Sequence, residues 1–295
     1  MTDPFRLVQL DELWDFDDPA ESERRFAALL PRAREENGGA HLGELLTQLA
    51  RAQGLQRRFD AARQTLDQAE DALAPDDRRG RVRLLLERGR VERTEQCEGL
   101  GRAAFLAAWE LARDAGEDGL AVDAAHMLGL VEPPDEAWEW NERAMELART
   151  SSDPAARRWV GSLANNMGWA RHDAGDDEGA IALFELAREE WAADGRLGRA
   201  RIARWSVARC LRSRGDVEAA LTEQQALLDE LDGIGETDGY VFEEIGECLL
   251  ALGRGDEAQP FFARACAALA DDLRLEPERL ERLRSLAGEE AQTEP

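Results

Sequence analysis

Apolar and small residues recur at helical spacing between residues 165 and 191, and the pattern is interrupted once, at residues 174–176 (Ala-Gly-Asp). After the interruption, Ala180 and Phe184 lie on one face of a helix with a period of 3.6 residues. A Gly-Asp pair is typical of one helix ending and the next beginning. The stretch therefore predicts two helices joined by a tight turn. The small residues Gly168 and Ala180 allow the two helices to approach closely.

Similar pairs of helices are predicted along most of the chain, and we number them as repeats 1 to 6. Their approximate spans are residues 41–74, 81–113, 120–149, 165–191, 200–231 and 239–269. We call the first helix of each repeat helix A and the second helix B. Gly175, Gly215 and Gly253 occupy the same turn position in repeats 4 to 6, at separations of 40 and 38 residues (215 − 175 and 253 − 215). Ala, Leu, Glu and Arg dominate the composition, which also favours helix over strand.

The repeats resemble tetratricopeptide (TPR) units, whose consensus of 34 residues carries an L-G pair and an A-x3-F-x2-A run. The pair corresponds to Met167-Gly168, Val207-Ala208 and Ile245-Gly246, and the run to Ala180-Phe184-Ala187, Ala220-Gln224-Leu227, Ala258-Phe262-Ala265 and Ala62-Leu66-Ala69. The resemblance covers residues 39–272 and is weakest in repeats 2 and 3. The longer period implies helices longer than the consensus, as in bacterial TPR proteins such as the sensor arms of some transcription regulators. We expect no DNA-binding helix-turn-helix within this sequence.

The resemblance implies an all-α fold, a right-handed α-solenoid of about six TPR-like helix-turn-helix repeats with helical caps at both ends. We expect an N-terminal segment and capping half-repeat at 1–38, the solenoid at 39–272, and a C-terminal capping helix with a frayed tail at 273–295. Trp14 and Phe16 are expected to pack on the first helix, over residues 19–36. Pro31 is expected to kink that helix or end it early.

The charge of the chain narrows the classes of partner. The formal net charge is −25, which disfavours binding to nucleic acid and to anionic membranes. All 37 basic residues are Arg. This excludes a phosphate-binding P-loop lysine and a Schiff-base lysine. The bias towards Arg fits a GC-rich genome or adaptation to high salt. The first residues lack the pattern of a signal peptide, and no apolar run is long enough to span a bilayer, so we expect a cytoplasmic protein.

Recognised catalytic and metal-binding patterns are missing from the sequence. There is no GxSxG or HExxH motif, and no two of the three histidines are spaced to share a metal on one helix. Cys97, Cys210, Cys248 and Cys266 contain no CxxC pair and are predicted to be free thiols, most of them buried. We therefore expect a non-enzymatic protein with no cofactor and no metal.

The candidate functional residues are polar and aromatic residues of helix A, because the resemblance implies that helix A lines the concave groove. Asn carries both donors and acceptors for a peptide backbone, Arg suits carboxylates, and Trp offers apolar area. Packing between repeats is the alternative for the tryptophans, and pairing with Glu on a neighbouring helix is the alternative for the arginines. The predicted groove residues are Arg51, Arg90, Arg93, His126, Asn165, Asn166, Trp169, His172, Trp205, Arg209 and Arg212.

The sequence thus favours a binding protein that holds a protein or peptide partner in this groove, with an acidic or carboxylate-ended peptide as the expected ligand. The alternative is a ligand- or peptide-gated regulatory sensor that changes conformation on binding. No nucleic acid or membrane partner is expected. The sequence leaves the identity of the partner and the oligomeric state open.

Overall fold

Almost every described residue lies in an α-helix, and the described part of the chain contains no strand. The computed structural model describes residues 10–16, 18–35, 39–94, 98–272 and 275–288. Cys97, the first nine residues and the last seven lie outside the described residues. A short 3-10 helix, Leu10–Leu13, precedes α1 (Pro19–Glu35), α2 (Gly39–Leu55), α3 (Phe59–Ala72), α4 (Arg78–Thr94), α5 (Glu98–Ala115), α6 (Asp118–Leu128), α7 (Pro134–Thr150), α8 (Pro154–Arg157), α9 (Val160–Asp173), α10 (Asp177–Ala193), α11 (Leu197–Arg214), α12 (Val217–Ile234), α13 (Gly239–Ala251), α14 (Gly255–Leu269) and α15 (Pro277–Leu286). None of these helices has the length and apolar character needed to cross a membrane.

The chain divides into two compact bodies, residues 1–160 and 161–295. In the N-terminal body, helix pairs α2–α3, α4–α5 and α6–α7 pack in sequence, and α1 packs on α2. Their cores contain Phe26 and Phe105, which are fully buried. In the C-terminal body, α10–α11, α11–α12 and α13–α14 pack on each other, and α15 covers α14. Phe184 and Phe262 are buried there. These successive helix pairs confirm the all-α repeat fold.

Within three repeats, helix A meets helix B through a glycine that faces a buried phenylalanine. A Cβ atom on Gly168 would lie 2.8 Å from Cε1 of Phe184, and one on Gly246 would lie 2.8 Å from Cε1 of Phe262. Gly89 stands in the same relation to Phe105, at 2.5 Å. The separation is 16 residues in each case (105 − 89, 184 − 168 and 262 − 246). Each phenylalanine ring therefore occupies the space that a side chain on helix A would take.

Left-handed residues end most of the longer helices, as the shared turn glycines predict. Gly175, Gly195, Gly215 and Gly235 have φ between 72° and 96° and follow one another at intervals of 20 residues (195 − 175, 215 − 195, 235 − 215). Helices α10, α11 and α12 contain 17, 18 and 18 residues. The extra length of the repeat thus lies in the helices.

One local prediction is wrong in part. Pro31 lies inside α1, which continues to Glu35, so the helix does not end early at the proline. The proline removes one backbone hydrogen bond, but Phe26 and Ala33 on either side of it are buried in the core. Gly101 of α5 allows a close approach to α4, because a Cβ atom there would lie 3.0 Å from the carbonyl oxygen of Gly89.

A Gly168→Ala substitution tests the helix contact. The added methyl group would force the buried ring of Phe184 to move, which typically costs about 1–3 kcal/mol, partly offset by about 1 kcal/mol of helix propensity. We expect a lower midpoint of urea unfolding measured by circular dichroism. Gly233→Ala is the control, because a Cβ there has no atom within 4 Å. An equal or higher midpoint for Gly168→Ala than for Gly233→Ala would refute the steric explanation.

Candidate functional site

A cavity of about 290 Å³ lies in the N-terminal body, where α2, α4 and α6 contribute side chains. Three of the predicted groove residues, Arg51, Arg90 and Arg93, lie at this cavity, so it is the strongest candidate site. Val91 and Met127 are buried in its wall, and Leu55 at its rim is 50% exposed. The complete lining consists of Arg51, Gly54, Leu55, Arg57, Glu87, Arg90, Val91, Arg93 and Met127.

Buried carboxylates hold Arg90 and partly hold Arg51. Arg90 donates from Nη1 to Oε1 of Glu87 and from Nη2 to Oδ1 of Asp123, both at 2.5 Å. Arg51 reaches the same oxygen of Glu87 at 3.4 Å. Burial opposes the ionisation of Arg90 and of Asp123. The charges of Asp123 and Glu87 nevertheless raise the pKa of Arg90. The charges of Arg90 and Arg51 likewise lower the pKa of Asp123. Arg90 and Asp123 are therefore both ionised at neutral pH.

Positive charge exceeds negative charge at the cavity. Arg57 and Arg93 are exposed and have no carboxylate partner in the described part of the chain. Burial, followed by repulsion from Arg90, lowers the pKa of Arg51, so its charge is incompletely compensated. The cavity lining thus carries four guanidinium groups and the carboxylate of Glu87, while Asp123 outside the lining pairs with Arg90. In a chain with a net charge of −25, this is a local concentration of positive charge.

Arg57 occupies a backbone conformation that the other turns of this type give to glycine. Its φ is 60°, and it is the one non-glycine residue with positive φ in the described part of the chain. The amide of Arg58 donates to the carbonyl of Gln53, just as the amide of Asp176 donates to that of Arg171 beside Gly175. A left-handed conformation costs a residue with a Cβ atom roughly 1–2 kcal/mol. Strained residues of this kind cluster at functional sites.

An aromatic pair from the N-terminal segment stands beside Arg51. The rings of Trp14 and Phe16 stack with centroids 4.7 Å apart, and Cζ of Arg51 lies 5.6 and 5.5 Å from their centroids. Trp14 also packs edge-on against Phe26 of α1, which confirms the predicted anchor for Trp14. Phe16 remains 56% exposed, so it contributes aromatic surface near the cavity.

His126 lies close to this network but does not line the cavity. Its ring is 5.3 Å from that of Trp159, and Nδ1 is buried without a hydrogen-bond partner in the described part of the chain. Burial lowers its pKa, which keeps the imidazole neutral at pH 7. Its packing is that of a structural side chain.

The C-terminal body brings the remaining predicted residues together on α9 and α11. Trp169 lies 5.5 Å from His172 and 6.0 Å from Trp205, and Trp205 lies 6.3 Å from Tyr240. The indole of Trp205 donates to the carbonyl of Tyr240 at 2.9 Å. This aromatic row therefore packs successive repeats against each other, which is the packing alternative for the tryptophans.

Arg209 and Arg212 have a partner on the neighbouring helix A. Glu244 of α13 is 1% exposed and accepts from Arg212 Nε at 2.5 Å and from Arg209 Nη1 at 3.5 Å. The structure thus favours the pairing alternative for these two arginines. Asn165 differs from them. It donates to Asn166 at 3.4 Å, but its own Oδ1 is buried and has no hydrogen-bond partner in the described part of the chain.

Three residues at or beside the cavity were not predicted from the sequence. Arg57, Glu87 and Asp123 are adjacent to Arg51 and Arg90 only because helices α2, α4 and α6 pack side by side. Aligning the turns would have revealed Arg57, which stands where Gly175 stands in repeat 4. The cysteine prediction is confirmed for Cys210, Cys248 and Cys266, which are buried and outside any disulfide of the described residues. Burial raises the pKa of Cys210 and Cys248 to about 12. Such thiols are poor nucleophiles.

Asp123→Asn should destabilise the protein by about 3 kcal/mol, since removing one partner of a buried ion pair leaves the other charge uncompensated. The folded-state pKa of Asp123 is lowered, so its stabilisation is fully present above the unfolded value of about 3.9 and is lost as the pH falls through the folded value. The difference in unfolding free energy between wild type and variant should therefore shrink below pH 4. A difference that stays constant from pH 7 to pH 3 would contradict the ion pair's role.

Comparison with solved structures shows which known fold the chain has. No protein-family model matches the sequence, and no curated protein is detectably similar to it. Three solved structures cover most of the chain. The apo quorum sensor NprR from B. thuringiensis matches with a TM-score of 0.63 and 15% identity over 96% of this chain and 82% of that one. NprR in complex with its cognate peptide NprX matches with a TM-score of 0.57 and 17% identity, over 96% of this chain and 84% of that one. A tetratricopeptide repeat protein from Parabacteroides merdae matches with a TM-score of 0.52 and 15% identity, over 95% of this chain and 97% of that one. The chain therefore has a tetratricopeptide-type helical-repeat fold.

Proposed function

We propose that this chain is a non-enzymatic peptide-binding protein whose arginine-lined cavity receives a carboxylate of the peptide. The observation that carries the proposal is the surplus of guanidinium groups at a cavity that also has an apolar wall. Arg93 and Arg57 offer donors that no carboxylate of the described chain uses, and charge-assisted hydrogen bonds to a carboxylate are the strong ones.

The shape of the cavity favours one residue of a peptide over a complete small molecule. Its volume of about 290 Å³ is at the low end of ligand pockets, which begin at about 300 Å³. Val91 and Met127 offer apolar contact next to the arginines, and Leu55 extends that contact at the rim. A C-terminal peptide residue with an apolar side chain fits both the arginines and the apolar wall, because its free carboxylate and its side chain are attached to the same Cα atom.

The comparison with solved structures also supports a peptide ligand. NprR, which shares the fold, has been solved with a peptide bound.

The contact between the aromatic pair and Arg51 favours a sensor as the second candidate function. Trp14 and Phe16 lie outside the repeats and meet the cavity through Arg51. A carboxylate that draws Arg51 towards the cavity would weaken this contact and release the segment. Ligand binding would then change the exposure of residues 10–16, which is a signal that a passive scaffold does not give.

Arg93→Ala tests the binding proposal. The probe is an N-acetylated hexapeptide with a C-terminal leucine, in the free-acid form and as the C-terminal amide, titrated by isothermal calorimetry. Hydrogen bonds to a charged group contribute about 1.5–3 kcal/mol, so both the amide and the variant should weaken binding by about 10- to 100-fold. Hydrogen exchange of residues 10–16 in the same samples should rise with the acid peptide if the protein is a sensor and stay constant if it is a scaffold.

Arg149→Ala is the matched control, because Arg149 is an exposed arginine of the same body on α7, away from the cavity. Its peptide affinity should equal that of the wild type. Equal binding of the acid and the amide would reject the carboxylate site, and tighter binding of inorganic phosphate than of the acid peptide would identify a phosphate group as the preferred anion.

Arg57→Gly should separate stability from binding. Glycine removes the left-handed strain and should raise the free energy of unfolding by about 1 kcal/mol. The same change removes one guanidinium from the cavity and should weaken binding of the acid peptide. Thermal unfolding and calorimetry on the same preparation measure both effects. A variant that is more stable and binds equally well would show that Arg57 is not a ligand contact.

A further inference from the structure

Three side chains that the proposed function does not use converge in the C-terminal body. His172 lies in the last turn of α9, Asp177 is the first residue of α10, and Cys210 lies in α11. Nδ1 of His172 is 2.6 Å from Oδ1 of Asp177 and 3.6 Å from Sγ of Cys210. The three potential ligand atoms all lie within 4.8 Å of one another.

We propose that His172, Asp177 and Cys210 form a zinc-binding site. The ligand set combines a thiol, an imidazole and a carboxylate, which are the groups that bind Zn²⁺, whereas Ca²⁺ and Mg²⁺ prefer oxygen alone. With bonds of about 2.3 Å to sulfur and about 2.0–2.1 Å to nitrogen, tetrahedral geometry places these two ligands roughly 3.5 Å apart. The observed 3.6 Å between Sγ and Nδ1 already fits this separation, whereas the 2.6 Å hydrogen bond between Nδ1 and Oδ1 of Asp177 must open to about 3.4 Å around the ion.

The surroundings fix the side chains and leave access for the ion. The ring of Trp169 packs edge-on against His172 with centroids 5.5 Å apart, which restrains the imidazole. The side chains of His172 and Asp177 are 14% and 16% exposed, while Cys210 is fully buried. An ion entering from solvent meets the carboxylate and imidazole first and the sulfur last. Zn²⁺ binds the thiolate, so the thiol proton passes to solvent, and a water molecule completes the fourth position.

The next repeat shows what the same positions look like without a metal site. Cys248 follows Cys210 by 38 residues and is also buried, but Arg212 and Val217 stand where repeat 4 has His172 and Asp177. Arg212 pairs with Glu244 there. The thiol alone is therefore part of the repeat pattern, and the histidine and aspartate are added in repeat 4 only. Cys248 provides a matched control for Cys210.

The test uses the full chain without an affinity tag, stripped of metal with a chelator and then titrated with Zn²⁺ or Co²⁺. Wild type should bind one equivalent of Zn²⁺, and the Co²⁺ form should show a thiolate-to-cobalt charge-transfer band in the near ultraviolet. Cys210→Ser should abolish the band, and Cys248→Ser should keep it. His172→Gln and Asp177→Asn should each weaken Zn²⁺ binding by at least about 100-fold, because even residues behind the ligands cost 10- to 100-fold.

Circular dichroism of each variant distinguishes loss of the site from loss of the fold. Asp177→Asn is the variant least expected to misfold, because this side chain is partly exposed at the start of a helix. A wild type that binds no Zn²⁺, or a cobalt band that Cys210→Ser and Cys248→Ser change equally, would overturn the proposal. So would full Zn²⁺ affinity in both His172→Gln and Asp177→Asn.

Discussion

The contact between a small residue on helix A and a large residue on helix B is the constraint from which the repeat is built. Where the pair is glycine and phenylalanine, as in Gly168 and Phe184, the ring fills the volume that a Cβ atom would need. Repeat 5 has Ala208 and Gln224 at the equivalent positions, both buried, and the amide of Gln224 donates to the carbonyl of Trp205. Repeat 3 reverses the sizes, with Leu128 on helix A and Ala144 on helix B. The sum of the two sizes is preserved while the chemistry varies, as expected of a core that must remain close-packed.

Because packing within a repeat uses the face of helix A towards helix B, its other faces are available for contacts between successive repeats. Arginines use them: Arg51 reaches Glu87, Arg90 reaches Asp123, and Arg212 reaches Glu244, each on the helix A of the following repeat. A planar guanidinium holds two carboxylate contacts at once, which a lysine ammonium does less well. Most of these arginines are therefore structural. At the cavity in the N-terminal body, Arg57 and Arg93 have no carboxylate partner in the described part of the chain.

The sequence predicted the fold well because its signals are local. The L-G and A-x3-F positions and the turn glycines are set by contacts over about 16 residues, such as that between Gly246 and Phe262. The candidate site was only partly predictable. Helix A placement predicted Arg51, Arg90 and Arg93 as neighbours, and the structure brings them to one cavity. The partners of Arg209 and Arg212 depend on Glu244, more than 30 residues away. The convergence of His172, Asp177 and Cys210 from three helices has no signature in local spacing, because each helix contributes a single side chain.

Each proposed site lies in a repeat whose residues differ from those at the equivalent positions of the other repeats. Arg57 takes the left-handed turn position that Gly175, Gly215 and Gly253 occupy elsewhere. His172 and Asp177 flank a turn whose equivalents hold Arg212 and Val217. The packing positions cannot vary freely, since a change of one methyl group there is felt by the whole helix pair. Residues at the turns and on the outer faces of helix A carry no such restriction. The two proposed sites therefore lie at turns and at contacts between successive A helices, where residues can vary without disturbing the packing within a repeat.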